Sequence, residues 1–315
     1  MAGFGRDFGQ KVDLVARIRQ ALQDYPPGVS MFKEFIQNAD DAGARRMQIC
    51  FDMRSHAASS TAWKQNEEDL QGPALLVYND ATFSDGDFAN ITQLGNSDKV
   101  SKVNKIGRFG VGVNVMYHLS DVPSFVSRDR FVFFDPHATF LPGVNPAMPG
   151  KSIFFMGEDK DVVKEYSSMF EPFNAFGFSP DAVFDGTLFR LPLRTQALAQ
   201  SSRLSNQVYT HEEMHQLLQS FAREMSSCLI FLKSVESISI STWLPDAPAP
   251  APLYSSSLTS LPRQSFTRAR LDEVASGDCD LSSPSTHIDT LHVTTECALT
   301  LSSISETFVV SSQVG

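Results

Sequence analysis

The chain has 315 residues, of which 42% are hydrophobic and 20% charged, and its formal net charge is −10. This composition is typical of a chain that folds around its own core, and the negative charge argues against nucleic acid as a partner. No apolar run approaches the roughly 18 residues that a membrane-spanning helix needs. The first residues lack the apolar segment of a signal peptide, and four scattered cysteines without a CxxC pair favour a reducing compartment. We therefore expect a cytoplasmic protein (nuclear as the alternative) without membrane insertion.

Helix and strand patterns are mixed along residues 1–244. Leu14, Ile18 and Leu22 have helical spacing, and Ser30 is a candidate N-cap for a second helix that ends at Gly43. The remaining patterns predict strands at 47–51, 74–78, 130–134, 187–193 and 235–242 and helices at 114–119 and 210–229. A regular alternation of strands and helices is missing, which predicts an α+β sandwich rather than a doubly wound sheet.

The composition changes after Trp243. Four prolines between residues 245 and 252 alternate with small or acidic residues, which predicts a Pro/Ser-rich linker over 245–262. Beyond it, alternating β-branched runs at 287–293 and 307–311 predict strands. We expect a first domain over 1–244 and a partial, truncated β-rich module over 263–315.

The segment MFKEFIQNADDAG, residues 31–43, carries the first candidate functional residues. At about 100° per residue, Glu34, Asn38 and Asp41 lie within roughly 60° of one another on a helix and border its apolar face, whereas Asp40 points to solvent. A carboxylate beside buried surface needs a partner. An ordinary surface helix with polar residues is the alternative interpretation.

Three further segments supply groups that could act with this helix. KIGRFGVGVN, residues 105–114, has three glycines at a turn, where backbone amides can approach a phosphate closely. The run LLVYND ends in Asp80, and Gly186 and Thr187 begin another strand. Each pattern alone is a weak indication, because tight turns give similar strings.

Taken in order, these segments resemble the nucleotide-binding motifs of the GHKL superfamily of ATPases. The strings KEFIQNADDAGA, LVYNDATFSDGDF, IGRFGVGVNVMYHLSDVPSFVS, FDPHATFLPG and GTLFRLPLRT resemble one branch more closely, the sacsin/No-vein family, over about residues 7–244. The resemblance implies a two-layer GHKL sandwich, with a mixed, mostly antiparallel sheet and helices on one face. It also implies an ATP-binding chaperone or co-chaperone that binds Mg²⁺-ATP, hydrolyses it slowly to ADP, and handles protein clients beside the seventy-kilodalton heat-shock chaperone.

The same resemblance assigns roles to individual residues. Glu34 would be the general base, Asn38 would bind Mg²⁺, and Asp80 would accept the adenine amino group with support from Asp41 and Thr187. The phosphates would be bound by the backbone of the glycine segment, which comprises Gly107, Arg108, Phe109, Gly110, Val111, Gly112 and Val113. Residues 93–104 correspond to a mobile lid, and Asn96 and Ser97 in it would contact the nucleotide.

Two departures from the superfamily pattern concern activity. The superfamily follows its adenine aspartate with D-x-G-x-G, whereas here Ala81-Thr82-Phe83 follow Asp80 and the nearest glycine is Gly86. The arginine that would stabilise the γ-phosphate has only unranked candidates, namely Arg263, Arg268 and Arg270. A catalytically inactive scaffold that keeps the fold is therefore the alternative to an ATPase.

Two other patterns suggest different functions. His211-Glu-Glu-Met-His215 matches the HExxH zinc-protease motif, with Glu236 as a conceivable third ligand. Thr210 and Glu213 also form a capping box, which explains the same residues as an ordinary helix start, and we favour that interpretation.

Four phenylalanines in a segment with Pro and Gly could form an exposed partner surface; they are Phe170, Phe173, Phe176 and Phe178.

Overall fold

A computed structural model of the chain describes residues 13–58, 67–92, 112–260, 285–298 and 302–314. Its strands are β1 (Arg46–Asp52), β2 (Ala74–Asn79), β3 (Ser124–Arg128), β4 (Arg130–Phe134), β5 (Gly150–Phe154), β6 (Phe184–Pro192), β7 (Ser237–Trp243), β8 (Ala251–Ser260), β9 (Ser285–Cys297) and β10 (Ser302–Val314). They form one sheet in the order β10-β9-β8-β7-β1-β2-β6-β3-β4-β5. Only β1 and β7 pair in parallel among these strands, so the mixed, mostly antiparallel sheet is confirmed.

Helices cover the sheet and fill the connections. The α-helices are α1 (Leu14–Gln23), α2 (Val29–Asp41), α3 (Glu67–Leu70), α4 (Asp85–Asn90), α5 (Lys160–Glu165), α6 (Ser167–Phe170), α7 (Gln196–Ser201), α8 (His211–Ala222) and α9 (Met225–Ile230). 3₁₀ helices lie at Gly112–His118 and Glu171–Phe173. The single helix predicted over 210–229 is thus two helices. Within the described part of the chain, none of these helices has the length and apolar character to cross a membrane.

Strand alternation separates two hydrophobic cores, one on each face of the sheet. Leu75 and Val77 of β2 pack into the core that contains α1, α2 and α8, whereas Leu76 and Tyr78 pack into the opposite core. On the first face, hereafter the α2 face, Phe32 of α2 stacks on a phenylalanine of α8 at 4.7 Å between ring centroids. The opposite face is also covered, by the short helices α5 and α6 and their loops.

The phenylalanine-rich segment belongs to this second core. Phe170, Phe173 and Phe178 are buried and pack around Phe131 of β4, with ring centroids 4.7–5.3 Å apart. Phe176 is half-buried and stacks on a tyrosine of β2 at 5.2 Å. The prediction that these residues form an exposed partner surface is wrong, because the sheet provides them with an apolar face to bury.

The ends of α2 differ in part from the expectation. The helix begins at Val29 with Gly28 as its N-cap at φ 128°, while the Ser30 hydroxyl donates to the Pro26 carbonyl at 2.6 Å rather than capping the helix. At the other end Gly43 adopts φ 81°, as expected for a glycine that ends a helix. The start of α2 is therefore set by a glycine in a conformation that other residues rarely adopt.

Asp40 was expected to face solvent and is instead buried. Its carboxylate accepts hydrogen bonds from the backbone amides of Lys233, Ser234 and Val235 at 2.6–3.0 Å. These amides precede β7, so Asp40 fastens the last turn of α2 to a segment almost 200 residues away in sequence. Helical periodicity cannot reveal such a partner, because the partner is set by tertiary structure.

Much of the segment predicted as a linker, 245–262, is a β-strand. Its second half is β8, which pairs antiparallel with β7 and with β9. Residues 245–249 form turns and bends, and the extended conformation begins with β8, where it is part of the sheet. The strands predicted at 287–293 and 307–311 are confirmed as parts of β9 and β10. The division into domains at residues 244 and 262 stays a prediction.

Arg194 lies two residues after the end of β6, and its buried side chain connects β6 to Asp121 and to the 3₁₀ helix. Its Nε donates to Asp121 Oδ1 at 3.1 Å, and its terminal nitrogens donate to the carbonyls of His118 and Tyr117 at 2.8 and 2.6 Å. The two carbonyls belong to the C-terminal end of the 3₁₀ helix Gly112–His118, where carbonyls lack partners within the helix. Arg194 thus fixes that helix to the end of a central strand.

We expect Asp121→Ala to lower the free energy of unfolding by about 3–5 kcal/mol, because it leaves the buried Arg194 charge without its carboxylate. Urea denaturation measures the change. The matched control is Asp85→Ala, since the Asp85–Arg128 pair is exposed and should contribute at most about 1 kcal/mol. Equal losses in the two variants would contradict the role given to the buried pair.

Candidate functional site

Glu34 of α2 lies against the beginning of the 3₁₀ helix. A Cβ atom built on Gly112 would overlap Glu34 Oε2, so the carboxylate touches the backbone at a position where a side chain has no room. Tyr25 is close enough to Glu34 to be affected by its charge. Burial, and then this negative charge, raise the pKa of the Tyr25 hydroxyl. Two motifs that are almost 80 residues apart in sequence therefore meet at one point.

The three polar residues of α2 are placed as the helical spacing predicts. Glu34, Asn38 and Asp41 are half-buried, whereas Phe35 and Ala39 between them are buried in the core. The polar groups thus lie on the border between the core and the surface of α2. A carboxylate and a carboxamide one helical turn apart at such a border can bind a ligand without being fully desolvated.

The Asp80 carboxylate makes hydrogen bonds within the protein that the motifs did not predict. Its Oδ1 accepts hydrogen bonds from the backbone amides of Arg45 and Arg46 at 2.8 and 2.9 Å, and its Oδ2 accepts one from Arg46 Nε at 3.1 Å. Burial opposes ionisation, but these hydrogen bonds outweigh it and hold the pKa of Asp80 below its usual value. The carboxylate is engaged at the start of β1, and the predicted contact of Asp80 with adenine stays a prediction.

The residue before it, Asn79, has the orientation that was expected of Asp80. Asn79 alternates with Val77 on β2, and its register partner Thr187 alternates with Phe189 on β6. Because Val77 and Phe189 pack into the core of the α2 face, Asn79 and Thr187 face α2 as well. Ser127 of β3, the partner of Thr187 on the other side, completes a polar row across three strands.

Hydrogen bonds connect this row to the turn after β2. Asn79 Oδ1 accepts from the Ala81 amide at 3.0 Å, and the Thr187 hydroxyl donates to the Ala81 carbonyl at 2.8 Å. The Ser127 hydroxyl oxygen accepts from the Phe83 amide at 3.0 Å and lies 2.9 Å from the Thr187 hydroxyl. The turn is thus closed by side chains, in a chain that lacks the glycines of the D-x-G-x-G pattern.

Aromatic rings lie beside the polar row on the same face. The ring of Phe83 is 4.8 Å from that of Phe125, which is 5.0 Å from that of Phe189. Phe189 in turn lies 5.6 Å from Phe35 of α2. Phe35, Phe125 and Phe189 are buried and Phe83 is half-buried, so these rings pack against one another in the core beside Asn79 and Thr187.

Part of the predicted site lies outside the described residues. This holds for Asn96 and Ser97 of the lid, for Gly107, Arg108, Phe109, Gly110 and Val111 of the glycine segment, and for the candidates Arg263, Arg268 and Arg270. Gly112 and Val113 are described and begin the 3₁₀ helix, which corresponds to the short helix predicted at 114–119.

The HExxH segment is a capped helix start. The Thr210 hydroxyl accepts from the Glu213 amide at 3.2 Å, and the Glu213 carboxylate accepts from the Thr210 amide at 2.8 Å, so the predicted capping box is confirmed. The rings of His211 and His215 both contact the edge or face of Phe51, at 5.5 and 5.3 Å between centroids. In the described ranges, His, Cys, Asp and Glu side chains form no group of three that could hold a metal.

Comparison with known families agrees with the motifs. Residues 11–255 match the model of the Sacsin domain family. The chain belongs to the sacsin domain family. Human sacsin is 37% identical over 246 residues, which are 76% of this chain and 5% of that protein. The chain therefore spans about one twentieth of the length of this relative, and the family prediction is confirmed for the domain alone.

Solved structures give only distant likenesses. The N-terminal domain of a DNA repair protein is 11% identical, with a TM-score of 0.37 over 89% of this chain and 64% of that one. The B-subunit of the DNA gyrase from Myxococcus xanthus is 8% identical, with a TM-score of 0.36 over 90% of this chain and 68% of that one. Both scores are below 0.5, and identities this low show at most a shared fold.

We expect Asp80→Ala to destabilise the fold by about 1–3 kcal/mol at pH 7, because the amides of Arg45 and Arg46 lose their acceptor. The pKa of Asp80 is lowered from the ordinary 3.8, so this stabilisation is complete above about pH 4 and is lost as the pH falls through the folded-state pKa. Urea denaturation at pH 7 and at pH 2–3 measures it, with the exposed Asp246→Ala as control. A difference between wild type and Asp80→Ala that stays constant with pH would refute the ionic role.

Proposed function

We propose that this sacsin domain binds Mg²⁺-ATP between α2 and the sheet, and that nucleotide binding and release drive the handling of protein clients. The observation that supports this most strongly is the contact of Glu34 with Gly112, where an acid and the glycine segment meet although their motifs are far apart in sequence. Such a meeting is what a phosphate site with an adjacent general base needs, because the base must stand beside the transferred phosphoryl group.

Asn38 is the residue that we assign to Mg²⁺. This ion prefers oxygen ligands and keeps several waters, so one protein oxygen beside the phosphates is enough. The Asn38 carboxamide, half-buried one turn from Glu34, fits such a donor set. When bound, the ion would neutralise charge on the phosphates, and Asn38 would hold it on the α2 side of the site.

We assign the phosphates and the attacking water to the place where Glu34 contacts Gly112. Backbone amides of Gly112 and Val113, together with the preceding glycine segment, would donate to the phosphates. The Glu34 carboxylate would accept a proton from the water and orient it. We expect hydrolysis to be slow, as the resemblance to the family implies.

We assign the adenine base of the nucleotide to the polar row formed by Asn79, Thr187 and Ser127. Asn79 and Thr187 face α2, whereas the Asp80 carboxylate is engaged by Arg45 and Arg46. The half-buried ring of Phe83 beside the row would supply an apolar contact for a purine, and Asp41 at the end of α2 would support this end of the site. The rival function is a scaffold without turnover, which is favoured by the packing of Phe83 against Phe125 in the same region.

Calorimetric titration with Mg²⁺-ATP and Mg²⁺-ADP, followed by an assay of phosphate release, tests the proposal. We expect both nucleotides to bind, and Glu34→Ala to lower phosphate release by about 10²-fold or more with little change in affinity. The control is Glu212→Ala, an exposed glutamate of α8. Binding without phosphate release, unchanged in Glu34→Ala, would support the scaffold, and no binding would overturn the proposal.

Gly112→Ala offers a second test of the same contact. The added methyl group overlaps Glu34 Oε2 and must displace the carboxylate, so we expect phosphate release to fall at least tenfold while nucleotide affinity changes less. Gly72→Ala is the matched control, because a Cβ atom there meets no atom within 4 Å. Turnover of Gly112→Ala equal to that of the control would show that the position of Glu34 is not critical.

A further inference from the structure

The side chain of Asn79 offers a hydrogen-bond donor at the base end of the site. Its Oδ1 accepts from the Ala81 amide at 3.0 Å, which fixes the orientation of the carboxamide. Its Nδ2 makes no hydrogen bond to any residue that the structure describes, although Asn79 is only 9% exposed. Asn79 therefore presents an amide NH₂ group toward the α2 face, together with the second lone pair of Oδ1.

The other side chains of the polar row, and Asp80 next to it, do not impose a preference of their own. The Thr187 hydroxyl donates to the Ala81 carbonyl, and the Ser127 hydroxyl donates to the Gly186 carbonyl at 2.8 Å. Both Asp80 oxygens accept hydrogen bonds from Arg45 and Arg46. With these groups satisfied within the protein, Asn79 is the polar side chain of this row that remains to contact a base.

A carboxamide and a carboxylate distinguish purines differently. Adenine carries an amino group at position 6 and an acceptor at N1, whereas guanine carries a carbonyl at position 6 and a donor at N1. A carboxylate only accepts, so it pairs with the adenine amino group and repels guanine O6. Because Oδ1 of Asn79 is held by the Ala81 amide, the group that reaches the purine is Nδ2, which can donate either to N1 of adenine or to O6 of guanine.

We propose, on the basis of the proposed function, that Asn79 hydrogen-bonds to the edge of the purine and that the site binds GTP nearly as well as ATP. The rest of the base-binding surface is consistent with this tolerance. The half-buried ring of Phe83 can contact the flat face of any purine, and contacts of this kind discriminate little between bases. Selectivity for adenine would require an acceptor at the edge of the base, and Asn79 supplies a donor there as well.

The experiment measures the dissociation constants of Mg²⁺-ATP and Mg²⁺-GTP by calorimetry for wild type and Asn79→Asp. Wild type should bind the two nucleotides within about threefold of each other. Asn79→Asp should favour ATP by tenfold or more, because a carboxylate then faces O6 of guanine. The turn should survive this change, since aspartate can also accept from the Ala81 amide.

The matched control is Asn145→Asp, because Asn145 Oδ1 accepts from the amide two residues later in the same way, at 2.9 Å, on an exposed loop. It should leave the ratio of the two constants unchanged. Asn79→Ala provides a variant that does not depend on a new charge: it should weaken both nucleotides by similar factors and keep their ratio near one.

Three results would overturn the inference while leaving the proposed function intact. These are a wild-type preference for ATP above tenfold, an unchanged ratio in Asn79→Asp, or a ratio that moves in Asp80→Asn and not in Asn79→Asp. Absence of binding by either nucleotide would overturn the proposed function itself, and the inference with it. Circular dichroism of each variant confirms that the compared proteins are folded.

Discussion

The arrangement depends first on the buried charge of Arg194. A guanidinium that donates to Asp121 and to the carbonyls of Tyr117 and His118 can be removed from water only if all these acceptors are in place. Since Arg194 follows β6 directly, it fixes the far end of the 3₁₀ helix to the centre of the sheet. The near end of that helix is Gly112, and this is how the contact between Glu34 and the glycine segment acquires a fixed position.

Two further acids hold backbone in the same manner. Asp40 ties the end of α2 to the segment before β7, and Asp80 ties the end of β2 to the start of β1. In both cases a carboxylate accepts from two or more successive amides. The helix that carries Glu34 and Asn38 and the strand that carries Asn79 are therefore each fixed near the residues that we assign to the nucleotide. The geometry of the candidate site thus depends on structural carboxylates to which we assign no contact with the nucleotide.

Local patterns predicted much of the fold and part of the candidate site. The position of Glu34 and Asn38 beside the core follows from helical period alone, and the family follows from ordered motifs. The errors share one physical origin: the environment of a side chain is set by residues distant in sequence. Asp40 and the Phe170 segment were assigned to the surface because their partners, in the segment before β7 and on β4, cannot be inferred locally. The placement of Asn79 on the α2 face was not predicted, although its alternation with Val77 on a strand implies it, because the motif directed attention to the neighbouring acid.

The central claim is that a nucleotide lies between α2 and the sheet, with its base at Asn79 and its metal ion at Asn38. A crystal structure of this domain with ADP and Mg²⁺ tests it most directly. The account predicts electron density for the purine beside Asn79 and Thr187, and for the ion within coordination distance of the Asn38 oxygen. Density for the nucleotide at another place, or a region between α2 and the sheet filled by Phe83 and its neighbours at saturating ADP, would contradict it.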